Sequence, residues 1–371
     1  MVGKFLMLFL VFFASFSQAA EWTDRVQVKG DFRYRHDYSK EEFSGKSEEF
    51  ERNRHRLRMR LSVSGQINET MELMTRLATG GANIGDTTST NQTLDDYGAR
   101  KGIYFDQMYF NWKVSKSISV WAGKSANPFY FAGGNDLIFD TDFTPEGGSF
   151  KYKDTFGSFE ILFNAGAFWL DERYSSTTGD DTDIGLVGAQ LAANYKTDDF
   201  NVLASYAHYS FPNSRNSTID SSLSKGNSVT TAASVTKYDL DYRVHAYSLE
   251  AGTSISGLPI AVFGEVISNE VGYNYKNGSV AGIKLNKLKD DGSWMLSFDR
   301  RELEKDATIA LLTDADNGAG GTNYRGWKTS AAYQFAQNAN FAVTYFEADK
   351  SISDPKTLRF KKALVDLNVS F

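Results

Sequence analysis

The stretch "ERNRHRLRMRLSVSG", residues 51–65, decides the fold. Arginine stands at every second position from Arg52 to Arg60, and Leu57, Met59, Leu61 and Val63 occupy the alternate sites of its second half. On a helix, alternate residues are separated by about 200°, so both sets would wrap the cylinder and leave no apolar face. On a strand, alternate residues share a face. One face is then a column of guanidinium groups and the other is hydrocarbon. A half-buried strand of a soluble sheet is the plain alternative, but adjacent like charges repel and such a sheet rarely needs so many in one column. Nucleic-acid binding is a third reading, and the N-terminus argues against it.

Residues 1–20, "MVGKFLMLFLVFFASFSQAA", carry Lys4, an apolar run from Phe5 to Phe16, and the small residues Ser17 and Ala19 before a cleavage point. This is the pattern of a secretory signal peptide, 1–19, with the exported chain running from 20 to 371. Loss of Lys4 moves the formal charge from −6 to −7, so an acidic chain carries a locally very basic strand. An exported chain does not meet nucleic acid in its work. There is no cysteine, so backbone pairing and packing alone must hold it together. No later segment approaches the run of about 18 apolar residues that a transmembrane helix requires.

The alternation recurs along the chain. Val26, Val28, Phe32 and Tyr34 mark a first strand and the arginine stretch a second. Further strands centre on Met71–Leu77, Met108–Val114, Ile118–Ala122, Phe150–Tyr152, Phe159–Trp169, Val187–Tyr195 and Phe200–Tyr206. In the tenth, the outward parity changes between Val244 and Tyr247, as a β-bulge would produce. Ile260–Val266, Ala281–Leu285, Trp294–Phe298, Trp327–Phe335, Phe341–Tyr345 and Ala363–Phe371 bring the total to sixteen. Short connections such as "QINE", "VSKS" and "DTFG" alternate with long polar ones at 38–51, 81–101, 126–148, 171–183, 212–236, 269–278, 305–326 and 349–356. Aromatics flank the short turns, as a membrane girdle should.

The expected fold is therefore all-β: a transmembrane antiparallel β-barrel of sixteen strands in the bacterial outer membrane. In hydrocarbon an unpaired backbone is too costly, so the sheet must close on itself. An arginine facing lipid at mid-bilayer would cost about 2–4 kcal/mol, so the column points into the lumen. Sixteen strands enclose an aqueous channel. Arg56, Arg58 and Arg60 should lie inside the wall with Arg33, Arg35 and Arg76 as neighbours. Arg52 and Arg54 fall near the outer mouth, where a rim that binds lipopolysaccharide phosphates is the competing role.

Several pieces resemble the Gram-negative porins, and more closely the bacterial family usually called putative porins. They are "FDQMYFNWKV", "NPFY", "NDLIFDTDFTPEGGSFKY", "LPIAVFGEVISNE", "DGSWMLSFDRRELEKDA", "GGTNYRGW" and the terminal Phe371. The resemblance implies an outer-membrane channel, often trimeric, whose third loop folds into the barrel and faces a basic ladder. Carried to this chain, the loop acids are Asp136, Asp140, Asp142 and Glu146, and the ladder is Arg33, Arg35, Arg56, Arg58, Arg60 and Arg76. The ending on Phe371 resembles the signature read by the β-barrel assembly machinery. Partners would be outer-membrane lipid and lipopolysaccharide, small polar solutes and ions, and a possible homotrimer.

The function expected is passive diffusion of small hydrophilic solutes. Facing rows of opposite charge would set a transverse field that favours polar over apolar solutes. The arginines argue for anions, while the loop acids and the net charge argue for cations; the balance leans to a weak anion preference. A substrate-specific channel is the alternative, and a structural or adhesive barrel a weaker one. Loop 212–236, rich in Ser, Thr and Asn, reads as an exposed tip.

Enzyme chemistry is not expected. By parity His55 and His208 face lipid and His36 sits near a loop edge, so girdle or loop roles fit better than a general base. "DADNGAGG" at 314–321 begins like a calcium loop but has Ala319 and Arg325 where the pattern needs Gly and Glu. "TGGANIG" lacks the lysine of a phosphate loop. No metal site and no cofactor are expected, because His and Cys are too scarce.

Overall fold

A computed structural model describes residues 25–43, 49–80, 88–174, 182–354 and 357–371. The expected signal peptide lies outside the described residues. Sixteen long strands form the wall: β1 Val26–Phe43, β2 Glu49–Gln66, β3 Met71–Thr79, β4 Ile103–Lys113, β5 Ile118–Lys124, β6 Glu146–Phe156, β7 Phe159–Asp171 and β8 Ile184–Lys196, then β9 Phe200–Phe211, β10 Tyr242–Ile255, β11 Leu258–Asn269, β12 Asn277–Leu285, β13 Trp294–Leu303, β14 Tyr324–Ala336, β15 Ala339–Lys350 and β16 Leu358–Ser370. Each pairs antiparallel with its sequence neighbours, and β16 returns to β1 from Asp31↔Ser370 to Phe43↔Leu358. The barrel is closed and has no free edge.

The opening stretch behaves as its period demands. Met59 and Val63 lie on the outer surface, 44% and 39% exposed, while Arg58 turns inward to Asp31 and Asp142. The same exterior carries Leu73, Met108, Leu191, Leu249, Val262, Leu296, Val343 and Val365, a band of hydrocarbon for the bilayer core. Phe159, Tyr195, Phe200, Phe335 and Phe341 cluster beside the short turns. Those turns mark the periplasmic end.

The seam depends on one glycine. Gly30 and Phe371 exchange two backbone hydrogen bonds of 2.9 Å. A Cβ on Gly30 would lie 2.4 Å from the Phe371 ring and 2.8 Å from the Arg60 carbonyl oxygen. Gly30→Val therefore forces the seam apart, an overpacking cost of about 1–3 kcal/mol. A lower urea midpoint in a heat-modifiability gel is the expected result; an unchanged midpoint would show that the terminal ring moves aside freely.

Three expectations need correction. The tenth strand has no bulge: β10 pairs without interruption with β9 and β11, and Tyr242, Val244 and Ala246 keep one inward parity. They are apolar because the lumen beside them is filled by protein, not water. The register shifts occur instead at Arg76/Leu77, Trp169/Asp171 and Gln334/Ala336. The first connection is much shorter than 38–51, since the β1–β2 ladder runs up to Glu42↔Glu49. Its top is held by cross-strand charges, with Lys40 at 2.8 Å from Glu49, and polar composition there had suggested a loop.

Loop 212–236 is not a free tip. It folds into a small sheet of Thr218–Ile219, Val229–Ala232 and Val235–Tyr238. Buried Asn227 donates to the carbonyls of Lys305 (2.6 Å) and Thr308 (2.8 Å), tying this loop to the one between β13 and β14. The turn around Thr230–Val235 stays exposed, as do Asn213, Arg215, Asn216, Ser221 and Ser222 nearer its base.

Candidate functional site

The loop between β5 and β6 enters the barrel and divides its interior. One side of this loop is apolar: Phe129, Leu137, Ile138, Phe139 and Phe143 pack against Phe168, Leu186, Tyr209, Phe211, Val244 and Phe263 on the β7–β11 wall. Burying such side chains stabilises by roughly 1.5–3 kcal/mol each. Polar anchors fix its path. The Tyr130 amide donates to Gln190 Oε1 and the Gln190 amide returns a bond to the Tyr130 carbonyl, both 2.7 Å. Glu250 accepts from Tyr130 Oη and the Gly133 amide at 2.5 Å each. Gly133, at φ +59°, lets the loop pass over the Phe263 ring, where a Cβ would come within 2.3 Å.

The other side of the loop is acidic and looks across a polar slot to β1, β2, β14 and β16. This slot encloses a cavity of about 300 Å³. Arg33, Arg35, Arg56, Arg58, Asp136, Asp140 and Asp142 all line it, so the sequence brought most of the ladder and most of the loop acids to one place. Arg54, assigned to the mouth, lines it too. Arg60 sits at its edge, 2.8 Å from Asp31 and 3.2 Å from Asp142. Arg76 points elsewhere, to Asp106 at 2.5 Å beside the β3–β4 bulge. Glu146 does not join the arginines: it starts β6, is exposed, and pairs with Lys124 at 2.7 Å.

The two rows do not merely face each other across water. Arg58 and Arg60 reach Asp142, and Arg35 and Lys362 reach Asp316 at 3.0 and 2.6 Å. Asp316 comes from a second infolded segment, residues 304–323, expected from the sequence as a long polar connection and containing the stretch that fails the calcium-loop pattern. It contributes Asp314 and Asp316 and is stitched to the third loop: Asp140 donates its amide to the Leu312 carbonyl (2.8 Å), and its Oδ2 accepts from the Ala315 amide (2.9 Å). A third segment supplies Ser89 and Asn91, brought in where Gln92–Thr93 pairs with Arg56–Leu57 and covers the β2 edge above β3.

The wall also carries its own acids. Asp31, Asp37 and Asp366 share the arginines' inward parity, a signal present in "DFRYRHD". Asp366 grips Arg35 bidentately at 2.7 and 2.8 Å, and Asp37 takes Arg54 at 2.7 Å. Two cross-strand partners are arginine on arginine, Arg33↔Arg58 and Arg35↔Arg56, which is repulsive unless acids intervene. Arg58 and Arg35 have such acids. Arg33 has no carboxylate within 4.0 Å among the described residues and donates to Asn91 Oδ1 at 2.7 Å; Arg56 has only Asp37 at 3.7 Å. The Nε groups of Arg33 and Arg56 are unpartnered. Positive charge is in excess at this point.

Behind the slot lies a buried charge cluster. Arg301, 1% exposed at its side chain, holds Asp299 bidentately (2.7 and 2.9 Å) and Asp136 at 2.5 Å, with Asp314 at 3.7 Å. Lys328 adds a second cation on Asp136 at 3.0 Å. Burial alone would raise Asp136, but Arg301 and Lys328 outweigh it and hold the carboxyl well below the usual range. Burial likewise opposes Asp316, and Lys362 and Arg35 overcome it. Asp314 is pushed up to about 7, first by burial and then by Asp136. Asp140 is raised by burial and by Asp314 and Asp142.

The family model described as "Putative porin" matches residues 46–250 and 262–371. Among curated proteins none matches. Solved structures of similar fold include Pseudomonas putida OprB (11% identity, 97% of each chain covered, TM-score 0.58). Salmonella typhi OmpF, solved in complex with daunomycin, is 13% identical, with 94% of this chain and 99% of that one covered and a TM-score of 0.55. A trimer form of Vibrio cholerae OmpT gives 14%, 94% and 100% coverage, and 0.51. At these identities the likeness is one of fold. Closed barrel, inward polar face, outward hydrocarbon band and family match agree: the chain belongs to the putative porin family and is an integral protein of the bacterial outer membrane.

Proposed function

We propose that the polar slot is the constriction of a passive diffusion channel for small hydrophilic solutes and ions, with a lean toward anions. The observation that carries this reading is the guanidinium pair Arg33 and Arg56, which faces the cavity with a single carboxylate between them, Asp37 at 3.7 Å from Arg56. Elsewhere in the slot, acids and bases cancel in pairs. A solute crossing there exchanges its hydration for fixed donors and acceptors, which polar molecules can use and apolar ones cannot. No bond is made or broken.

Planar-bilayer recordings with the purified protein test this. Ohmic conductance with a reversal potential on the anion side under a salt gradient is expected. Silence would remove the channel reading. Because ion pairs bridge the slot at Asp142 and Asp316, a substrate-specific channel is the second reading; saturable block by one solute would favour it. A homotrimer is proposed in keeping with the trimer form of the Vibrio protein, and chemical crosslinking in the membrane to a species of three chains is its test. Recognition of Phe371 by the assembly machinery is part of the same reading.

The acidic side of the slot should also respond to pH. Burial and Asp136 push the Asp314 carboxyl up to about 7, and Asp140 beside it is raised as well. Raising the pH through 7 adds negative charge to the slot, so anion preference should fall between about pH 6 and 8. Asp314→Asn should abolish that step; its persistence in the variant would move the titrating group elsewhere.

A further inference from the structure

All four histidines of the chain stand on the outside of the barrel, in two copies of one arrangement. On β1, Tyr34 and His36 are two residues apart, and His55 of β2 lies directly across from His36. On β9, Tyr206 and His208 repeat the spacing, and His245 of β10 lies directly across from His208. In each copy the tyrosine hydroxyl is 2.9 Å from Nδ1 of the cross-strand histidine. The imidazole centroids are 4.9 Å apart at 49° in the first and 4.7 Å at 47° in the second. His36, read from sequence as a loop-edge residue, is well inside β1.

The copies lie eight strands apart on a sixteen-strand wall, on opposite sides of the barrel. Each sits where the hydrocarbon band gives way to charge. Tyr38, Lys40, Glu49 and Glu51 lie just above the first, and Arg243 and Glu270 beside the second.

Hydrogen bonding does not explain the pairs. No bond joins the two rings of either pair, and Nδ1 of both His36 and His208 is buried without a partner. Such an atom is desolvated without compensation. Two imidazoles bound to one metal at about 2.0–2.1 Å, in adjacent positions, have centroids about 4.5–5 Å apart. Both pairs meet that spacing. A tyrosine oxygen on the other ring nitrogen is the outer support that orients a ligating histidine.

We propose that each cross-strand histidine pair is a two-imidazole site for a divalent transition-metal ion of the copper, nickel and zinc class. Imidazole selects these ions over magnesium and calcium, with copper the tightest. Water or headgroup oxygen completes the coordination, since the described residues contain no cluster of three or more ligand side chains. In the first pair a metal on His55 Nε2 leaves the ring proton on Nδ1, which then donates to Tyr34 Oη. In the second, His245 Nε2 is engaged by Glu270 at 2.9 Å, and Arg243 holds the same carboxylate at 2.8 Å. An ion there must displace one of the two His245 partners, so the β1–β2 pair should fill first.

The test is copper titration of untagged protein in detergent, followed by electron paramagnetic resonance and spin-echo modulation, which counts coordinated imidazoles. Two equivalents, each with two imidazoles, are expected. His36→Phe should remove the tighter equivalent and His208→Phe the weaker, each raising the affected Kd at least tenfold. The double variant should lose both while keeping the heat-modifiable barrel and its conductance, since no histidine lines the slot. Single-imidazole signals in the unaltered protein, or two-imidazole signals surviving in the double variant, would overturn the proposal.

Discussion

Replacing Arg56, Arg58 and Arg60 together by glutamine should turn the channel from anions to cations. The three side chains carry much of the positive wall, and their removal also uncovers acids. Asp31 loses both of its partners, Arg58 and Arg60, and Asp142 loses its two contacts with the wall. The slot then changes sign by subtraction of cations and by release of carboxylates. A unit charge about 4 Å away is worth roughly 4 kcal/mol at an effective dielectric of 20. Salt and water in an open lumen screen much of that. If even 1.4 kcal/mol survives, the cation-to-anion permeability ratio rises about tenfold. The reversal potential under a salt gradient measures it directly. A variant that folds and conducts with an unchanged potential would place the conduction path away from this wall.

The barrel itself was legible because its signal is local and repeated. Period-two alternation survives in almost every strand, and a strand of alternating arginine and hydrocarbon has few other solutions. The interior was less legible, for a physical reason. An inward residue facing protein looks like an outward residue facing lipid, so Tyr242, Val244 and Ala246 read as a parity break when they were the wall of a dry core. Loop acids posed the converse problem. Asp136, Asp140 and Asp142 were found through a resemblance, but the same reasoning included Glu146, whose backbone is already in β6 and directs it to Lys124. Asp314 and Asp316 needed knowledge of a second infolded segment, and a loop's destination is set by tertiary contacts such as Asp140 to Leu312 and Ala315. Asp31, Asp37 and Asp366 were readable from parity alone, once the wall was asked for its acids as well as its arginines.

Removing the buried cation behind the third loop should widen the slot without evicting the loop. Arg301→Met leaves Asp136, Asp299 and Asp314 facing one another with only Lys328 to offset them. Breaking a buried pair in this way costs about 3–5 kcal/mol, because the remaining charges stay desolvated. Against that stands the apolar side of the loop. Phe129, Leu137, Ile138, Phe139 and Phe143 each contribute roughly 1.5–3 kcal/mol of burial, and the sum exceeds the lost anchor. The apolar half, Leu137–Phe139 included, therefore stays docked on β7–β11, and the acidic turn 140–142 beyond it swings toward water. Asp142 then leaves Arg58 and Arg60, and the bridge that narrows the slot opens. The expected readout is a single-channel conductance raised about twofold or more, with new protease cleavage confined to residues 140–142 and the barrel band on a gel intact. Cleavage extending to Phe129 would mean that the ionic anchor, and not the apolar one, holds the loop. Unchanged conductance would mean that the bridge at Asp142 does not limit the flow.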